Sequence, residues 1–409
     1  MTTIDTRALS ASAARAVPFP AVRTRVREID VLRGLVMVLM VLDHARDYLH
    51  VDAFAYNPLD PARTTPALYA TRWITHLCAP TFVFLAGVSA SLQLARGKST
   101  GELSWLLLTR GAWLVLLEAT ILSFGWSFSF PYPLFLQVIW AIGWSMVALA
   151  GLVWLSRNAV LAIGIAIVAG HNLLDPITLD RFGGGAWLWT LLHEGGILRV
   201  AGSPVGFAAY PVLPWIGVMA VGYGLGRLFL APPETRDPRL TFLGIAMLAT
   251  FLALRAANLY GDPHPWTVQA DPIATAMAFL DVAKYPPSLM YVLATLGIVL
   301  ALWQPISFLP RPALKVLGVF GAVPFFFYVL HVYLVHVLAI VANAAAGHDP
   351  SALFGYLVNT RDPERIGGLG FSLRWVYLAT GVVLALLYPL CRSFGEVKRT
   401  RREWWLSYL

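Results

Sequence analysis

Residues 31–50 read VLRGLVMVLMVLDHARDYLH. An unbroken apolar run, 35–42, gives way within a turn to Asp43, His44, Arg46, Asp47 and His50. As a helix rising about 1.5 Å per residue, the stretch is long enough to cross roughly 30 Å of hydrocarbon. Ionisable groups inside such a helix cost roughly 2.5–3.5 kcal/mol each on insertion scales, so they face the bundle interior and mark a pathway or a site. A chain that places charges there is read as a membrane bundle with polar machinery inside it.

Composition agrees. Of 409 residues 58% are hydrophobic and 13% charged, whereas soluble domains carry about 25% charged residues. The apolar residues gather into stretches of about 17–25 residues, and the alternation of a membrane barrel is absent. The expected fold is therefore all-α, a polytopic integral membrane helix bundle. About ten spans are expected, near 31–50, 73–95, 104–124, 132–155, 159–170, 205–230, 241–259, 286–303, 316–341 and 373–390. The domain reading is a disordered cytoplasmic tail over 1–27, a single transmembrane domain over 28–392, and a basic and aromatic cytoplasmic tail over 393–409.

Basic residues are retained on the cytoplasmic side. Arg7, Arg15, Arg23, Arg25, Arg27, Arg96, Lys98, Arg157, Arg236, Arg239, Arg311, Lys315, Arg392, Lys398, Arg399, Arg401 and Arg402 fall on one set of connections. The alternate set carries fewer, among them Arg63, Arg181, Arg199, Lys284, Arg361 and Arg365. Both termini are expected to be cytoplasmic. The same bias accounts for the net charge of +8, so nucleic acid is not an expected partner. The lipid bilayer is, and a homo-oligomer is compatible with the sequence. The N-terminal stretch lacks the apolar core of a secretory signal, so the first span is the targeting element. Cys78 and Cys391, the two cysteines, are expected at opposite faces and form no disulfide.

Counting along the helices puts several costly groups in the outer half. From residue 31, His44 lies about 20 Å in, and from Lys315 along one continuous span His331 lies about 24 Å in. Arg72 and His76 open the second span from the outer side, and Arg255 and Asn258 end the seventh there. Asp43 and Arg46, three apart, and Arg46 and His50, four apart, share one helical surface, so Asp43 offsets part of the burial cost of Arg46. Asp47 extends the cluster; Asp47 and His50 also read as interfacial anchors. His44, beside a carboxylate, is suited to proton transfer. His336 reads as interfacial, and His171, His193, His264 and His348 fall in outer connections. YVLHVYLVH spaces its histidines five apart, not four as in a helical zinc pair. A zinc site from His44, His76 and His331 is geometrically conceivable, but no metal is expected. In PVLPWIGVMAVGYGLG the glycines give a smooth helix surface for close packing; GYGLG follows no strand and is not a nucleotide fingerprint.

REIDVLRGLVMVLMVLDHARDYLH, TRWITHLCAPTFVFLAGVSA, LPWIGVMAVGYGLGRLF and VPFFFYVLHVYLVH resemble a family of bacterial membrane proteins related to the catalytic domain of heparan-alpha-glucosaminide N-acetyltransferase, within a wider superfamily of transmembrane acyltransferases. The resemblance runs from Arg27 to about the tenth span and is strongest in the first two. It implies transfer of an acetyl or other acyl group from a cytoplasmic CoA thioester, acetyl-CoA or another acyl-CoA, to a sugar or glycoside acceptor on the extracytoplasmic side. Arg27, Arg33, Arg96 and Lys98 would meet the donor phosphates. Asp43, His44, His76 and His331 are the candidate catalytic residues, and Arg46, Arg72 and Asp47 would bind substrate or stabilise an oxyanion. One departure stands out. The family's active histidine lies between the first two spans, upstream of a Pro-containing FVF-type stretch, and counting back from Pro80 the matching position here is not histidine. His44, then His76, is the expected replacement. The rival reading is a proton-coupled transporter or lipid-handling membrane protein, which an inverted repeat would favour; the two halves of the sequence show no convincing similarity.

Overall fold

The computed structural model describes residues 26–53, 55–359, 363–401 and 403–408. The expected N-terminal tail lies outside the described residues up to residue 25, as do Arg361 and Arg402.

Helix α1, Arg27–Leu49, carries Glu28 and Asp30 in its first turn and Arg46 in its last, each placed to favour the helix dipole. Helix α2, Pro66–Ile74, starts where the Thr65 hydroxyl accepts from the Leu68 N–H and passes through a 3-10 turn, Thr75–Leu77, into α3, Cys78–Ala95. Helix α4, Thr100–Leu117, opens on a capping box between Ser99 and Glu102. A π turn, Glu118–Leu122, joins it to α5, Ser123–Ser127. There follow α6, Val138–Leu152, α7, Arg157–Gly170, and the short α8, Ala186–Trp189. Then come α9, Val212–Leu225, α10, Pro233–Ala257, α11, Pro272–Leu280, and α12, Leu289–Ala301. The last are α13, Arg311–Ala322, α14, Pro324–Ala345, the short α15, Tyr356–Asn359, and α16, Pro363–Ile366, and finally α17, Leu373–Thr400.

Among the described residues seven helical stretches are long and apolar enough to cross a membrane, and α6 and α12 are shorter apolar helices. Helix α1 has the length, 23 residues, but carries Arg33, Asp43, Arg46 and Asp47. The chain is a helical integral membrane protein.

Three expectations need correction. The bundle is not purely helical: β1, Leu134–Leu136, β2, Gly196–Val200, and β3, Ser203–Ala208, form a sheet in the order β1-β3-β2. Ala201 and Gly202, at φ 49° and 83°, turn β2 into β3, as a two-residue hairpin requires. β1 and most of β3 occupy positions read as the starts of the fourth and sixth spans, and β2 lies in the connection before the sixth. Second, the expected span 316–341 breaks at Val323, whose φ of −132° and ψ of 54° leave the helical region before Pro324. Proline lacks the N–H to continue the ladder and crowds the residue before it. Third, the last helix runs ten residues past its expected end, and Leu406 of the expected tail is buried.

Glycines set the closest helix contacts. A methyl group at Gly321 would sit 1.8 Å from the Asp30 carbonyl oxygen, and one at Gly34 would sit 2.0 Å from that of Leu317, so α1 and α13 touch backbone to backbone. Gly87 and Gly222 do the same for α3 and α9, at 2.0 Å from Met219 O and 2.1 Å from Phe84 O. Gly321→Ala is therefore expected to destabilise the protein by about 1–3 kcal/mol through overpacking. Gly318→Ala, with nothing within 4 Å, should leave stability unchanged or slightly raised. Thermal unfolding in detergent checks both; equal melting points would exclude the close approach.

Candidate active site

The end of α1 at Leu49, the junction between α2 and α3, the connection before α12 and the middle of α14 meet in one buried polar cluster. Asp43 is its hub. Arg72 donates through Nη1 to both Asp43 carboxylate oxygens at 3.0 Å, Arg46 donates to Oδ1 at 3.1 Å, and the Lys284 ammonium lies 3.9 Å from Oδ2. Arg46 also binds Asp47 at 2.6 Å. Asp43, Arg46 and Lys284 are buried, so the three cations and two carboxylates compensate one another in place of water. The three-residue spacing of Asp43 and Arg46 makes the contact expected of it. The four-residue pairing of Arg46 with His50 is not made: Arg46 turns to the acids, and His50 Nδ1 instead accepts from the Asp52 N–H at 3.1 Å.

His44 points to α14. Its Nδ1 lies 2.7 Å from His331 Nε2, with the rings stacked at 4.8 Å. His331 Nδ1 lies 3.3 Å from the Phe327 carbonyl oxygen. A carbonyl only accepts, so Nδ1 carries the His331 proton and Nε2 accepts from His44 Nδ1–H. The free lone pair of the dyad is then on His44 Nε2. Trp126 packs edge-on to His44 at 4.7 Å. His76 does not join the dyad; its ring lies against Tyr291 at 5.3 Å, and neither ring nitrogen has a hydrogen-bond partner. The facing nitrogens of His44 and His331 are engaged with each other.

Other expected members serve the frame. Arg255 donates to the carbonyls of Phe279, His264, Ala278 and Asp281, and Asn258 binds the backbone of Trp266, so both hold the connection before α12. His336 is fully buried, its nitrogens 2.9 and 3.0 Å from the carbonyls of Gly125 and Leu353.

Two cavities flank the dyad. The larger, about 740 Å³, reaches from the Arg27 end of α1 into the bundle. Its walls are largely aliphatic, from α1, α3, α4, α6 and α14, and Arg33, Arg96, Arg110 and Lys398 line it. The smaller, about 20 Å³, is lined by Asp43, His44, Thr75, Gln137, Tyr210 and Lys284 among others. Phe82 and Val138 line both and form the partition between them. Tyr328 lines the larger cavity and stands edge-on to His44 and His331, at 6.5 and 5.2 Å, its buried hydroxyl without a hydrogen-bond partner.

Of the four expected donor residues, Arg33 and Arg96 line the large cavity, and Arg27 and Lys98, both exposed, do not. Arg33 is held by Asp30 at 3.5 Å and by the Ser89 hydroxyl. Arg110 and Lys398 were not anticipated. Arg110 sits within an apolar run on α4, where its depth was the available signal; Lys398, in the segment expected as a basic and aromatic tail, lies in the last turn of α17.

Fold and site define the class: a helical membrane protein with a buried histidine dyad and charge cluster beside a cationic, apolar-walled cavity. Residues 25–260 match the family described as heparan-alpha-glucosaminide N-acetyltransferase, catalytic, and the chain belongs to that family. No curated protein matches the chain. The match takes in α1 to α10, with His44, Asp43, Arg46 and Arg72; His331 and Lys398 come from the remainder. Membership frames the site as that of a transmembrane acetyltransferase-like protein.

Proposed function

We propose that the protein transfers an acetyl, or other acyl, group from a cytoplasmic acyl-CoA in the large cavity to a sugar or glycoside acceptor on the extracytoplasmic side. In this reading about ten spans cross a bacterial inner membrane with both termini cytoplasmic, the arrangement the Lys and Arg bias favours. The observation that carries it is the adjacency of the two cavities. A cavity with cations at its Arg27 end and aliphatic walls further in ends against the partition of Phe82 and Val138, behind which His44 stands.

A CoA thioester matches that polarity. Its phosphates meet Arg33, Arg96, Arg110 and Lys398, and its acyl end lies among apolar side chains toward Phe82. Tyr328 O–H is the buried donor available to a thioester carbonyl. His44 Nε2 takes the proton from the acceptor amine or hydroxyl as that group attacks the acyl carbon. The C–S bond breaks, the acyl group passes to the acceptor, and the proton leaves with the CoA thiol. His331 holds the tautomer that keeps Nε2 basic. Asp43, fixed by Arg46, Arg72 and Lys284, supplies the charge next to the dyad, and Asp47 anchors Arg46. His76 lines neither cavity and takes no part.

Binding tests the donor half. Acetyl-CoA is expected to raise the melting temperature saturably. Arg96→Gln and Arg110→Gln should each weaken it about tenfold, the loss of one charge-assisted hydrogen bond, whereas Arg27→Gln and Lys98→Gln should not. Equal affinities across all four variants would remove the cavity as the donor site. Tyr328→Phe, which changes the cavity by one hydroxyl, should lower kcat about 10²-fold with donor affinity retained; unchanged kcat would deny the hydroxyl a role.

A further inference from the structure

The connection between α7 and β2 carries a second set of ligating groups, two buried histidines and a half-buried carboxylate. We infer that His171, Asp175 and His193 form a binding site for a divalent transition-metal ion, with zinc the best chemical fit. One ligand atom from each lies within 4.8 Å of the other two, the one such set among the described residues.

The burial pattern points to a ligand. His171 and His193 are 3% and 2% exposed. Neither ring nitrogen of His171 makes a hydrogen bond of full geometry, the Pro287 backbone being a polar neighbour of the ring; a metal bond would give the buried ring a full partner. The neighbours are arranged as around a metal centre. Asn172 donates to Asp175 Oδ2 at 2.9 Å, turning Oδ1 to within 3.6 Å of His193 Nε2, the kind of outer contact that orients a ligating carboxylate. Trp189 stacks on His193 at 5.1 Å, fixing its ring.

Two imidazoles and one carboxylate suit zinc, with a fourth position left for water. Metal–ligand bonds of about 2.0–2.2 Å place ligand atoms roughly 3.4 Å apart, so loading draws the three groups inward. His193 Nε2, now 3.0 Å from the His171 carbonyl, exchanges that contact for the metal as its proton moves to Nδ1. The bound ion would tie the end of α7 to the segment leading into β2. Through Asn172 Oδ1, which accepts from the Leu289 N–H at 3.0 Å, it would also brace the start of α12.

The test uses tag-free full-length protein in detergent, stripped with chelator and titrated with zinc, with cobalt as a spectroscopic stand-in. Expected are one zinc per chain, a higher melting temperature and a tetrahedral cobalt spectrum. His171→Ala, His193→Ala and the conservative Asp175→Asn should each weaken binding about a hundredfold or more. A His44→Ala/His331→Ala variant should bind as the parent does, separating this site from the dyad. No zinc binding by the parent protein, or binding retained in His171→Ala and His193→Ala, would overturn the site.

Discussion

Replacing either His44 or His331 with alanine is expected to lower kcat by about 10²–10⁴, the span typical of losing a positioned general base. Acetyl-CoA affinity should stay unchanged, because neither residue lines the large cavity. The 2.7 Å bond between them makes them one unit, so the double variant should be no slower than the worse single one. His331→Gln should recover part of the rate if its side-chain amide oxygen accepts the His44 Nδ1 proton in place of the imidazole. Turnover measured with saturating acetyl-CoA and acceptor checks this. A His331→Ala enzyme with full kcat would mean that His44 works without a partner, and full kcat in both single variants would remove the dyad from the chemistry.

The second large effect falls on stability. Asp43→Asn leaves Arg46, Arg72 and Lys284 facing an amide, with Asp47 the remaining carboxylate in the cluster. Removing one partner of a buried ionic network typically costs about 3–5 kcal/mol, and the expected result is a loss of that order in detergent unfolding. Lys284→Met should cost less, since at 3.9 Å its ammonium makes the longest of the contacts to Asp43. A melting temperature unchanged in Asp43→Asn would show that water, rather than the carboxylate, compensates the three cations.

The helical bundle was legible because hydropathy over long stretches is a strong signal, and so was the contact between Asp43 and Arg46, which three-residue spacing dictates. The dyad was half legible. Helix depth brought His44 and His331 to the same half of the bundle, but depth says nothing of rotation, and rotation separates His331, which faces α1, from His76, which faces Tyr291. The depth count for His331 also assumed a continuous helix through Pro324, where the chain breaks. That break was readable in GAVPFFF, as was the hairpin in GILRVAGSPVGFA, but short local signals were absorbed into longer apolar windows. Lys284 lies in a connection, so no helical spacing ties it to Asp43; only the folded chain brings it there. The metal-ligand set was hidden because its histidines stand 22 residues apart in one long connection, with no helical spacing to tie them.

In the proposed reaction the acyl group passes from one side of the bilayer to the other through the two adjoining cavities. The most direct measurement places oriented protein in sealed vesicles, with labelled acetyl-CoA on the face of Arg96 and glucosamine enclosed on the face of His50. Acetylated product is expected only in the acceptor compartment, CoA thiol only in the donor compartment, and loss of both with His44→Ala. Product confined to the donor compartment would contradict it. So would solute crossing the bilayer without any CoA and failing to do so in Asp43→Asn, the behaviour of a carrier.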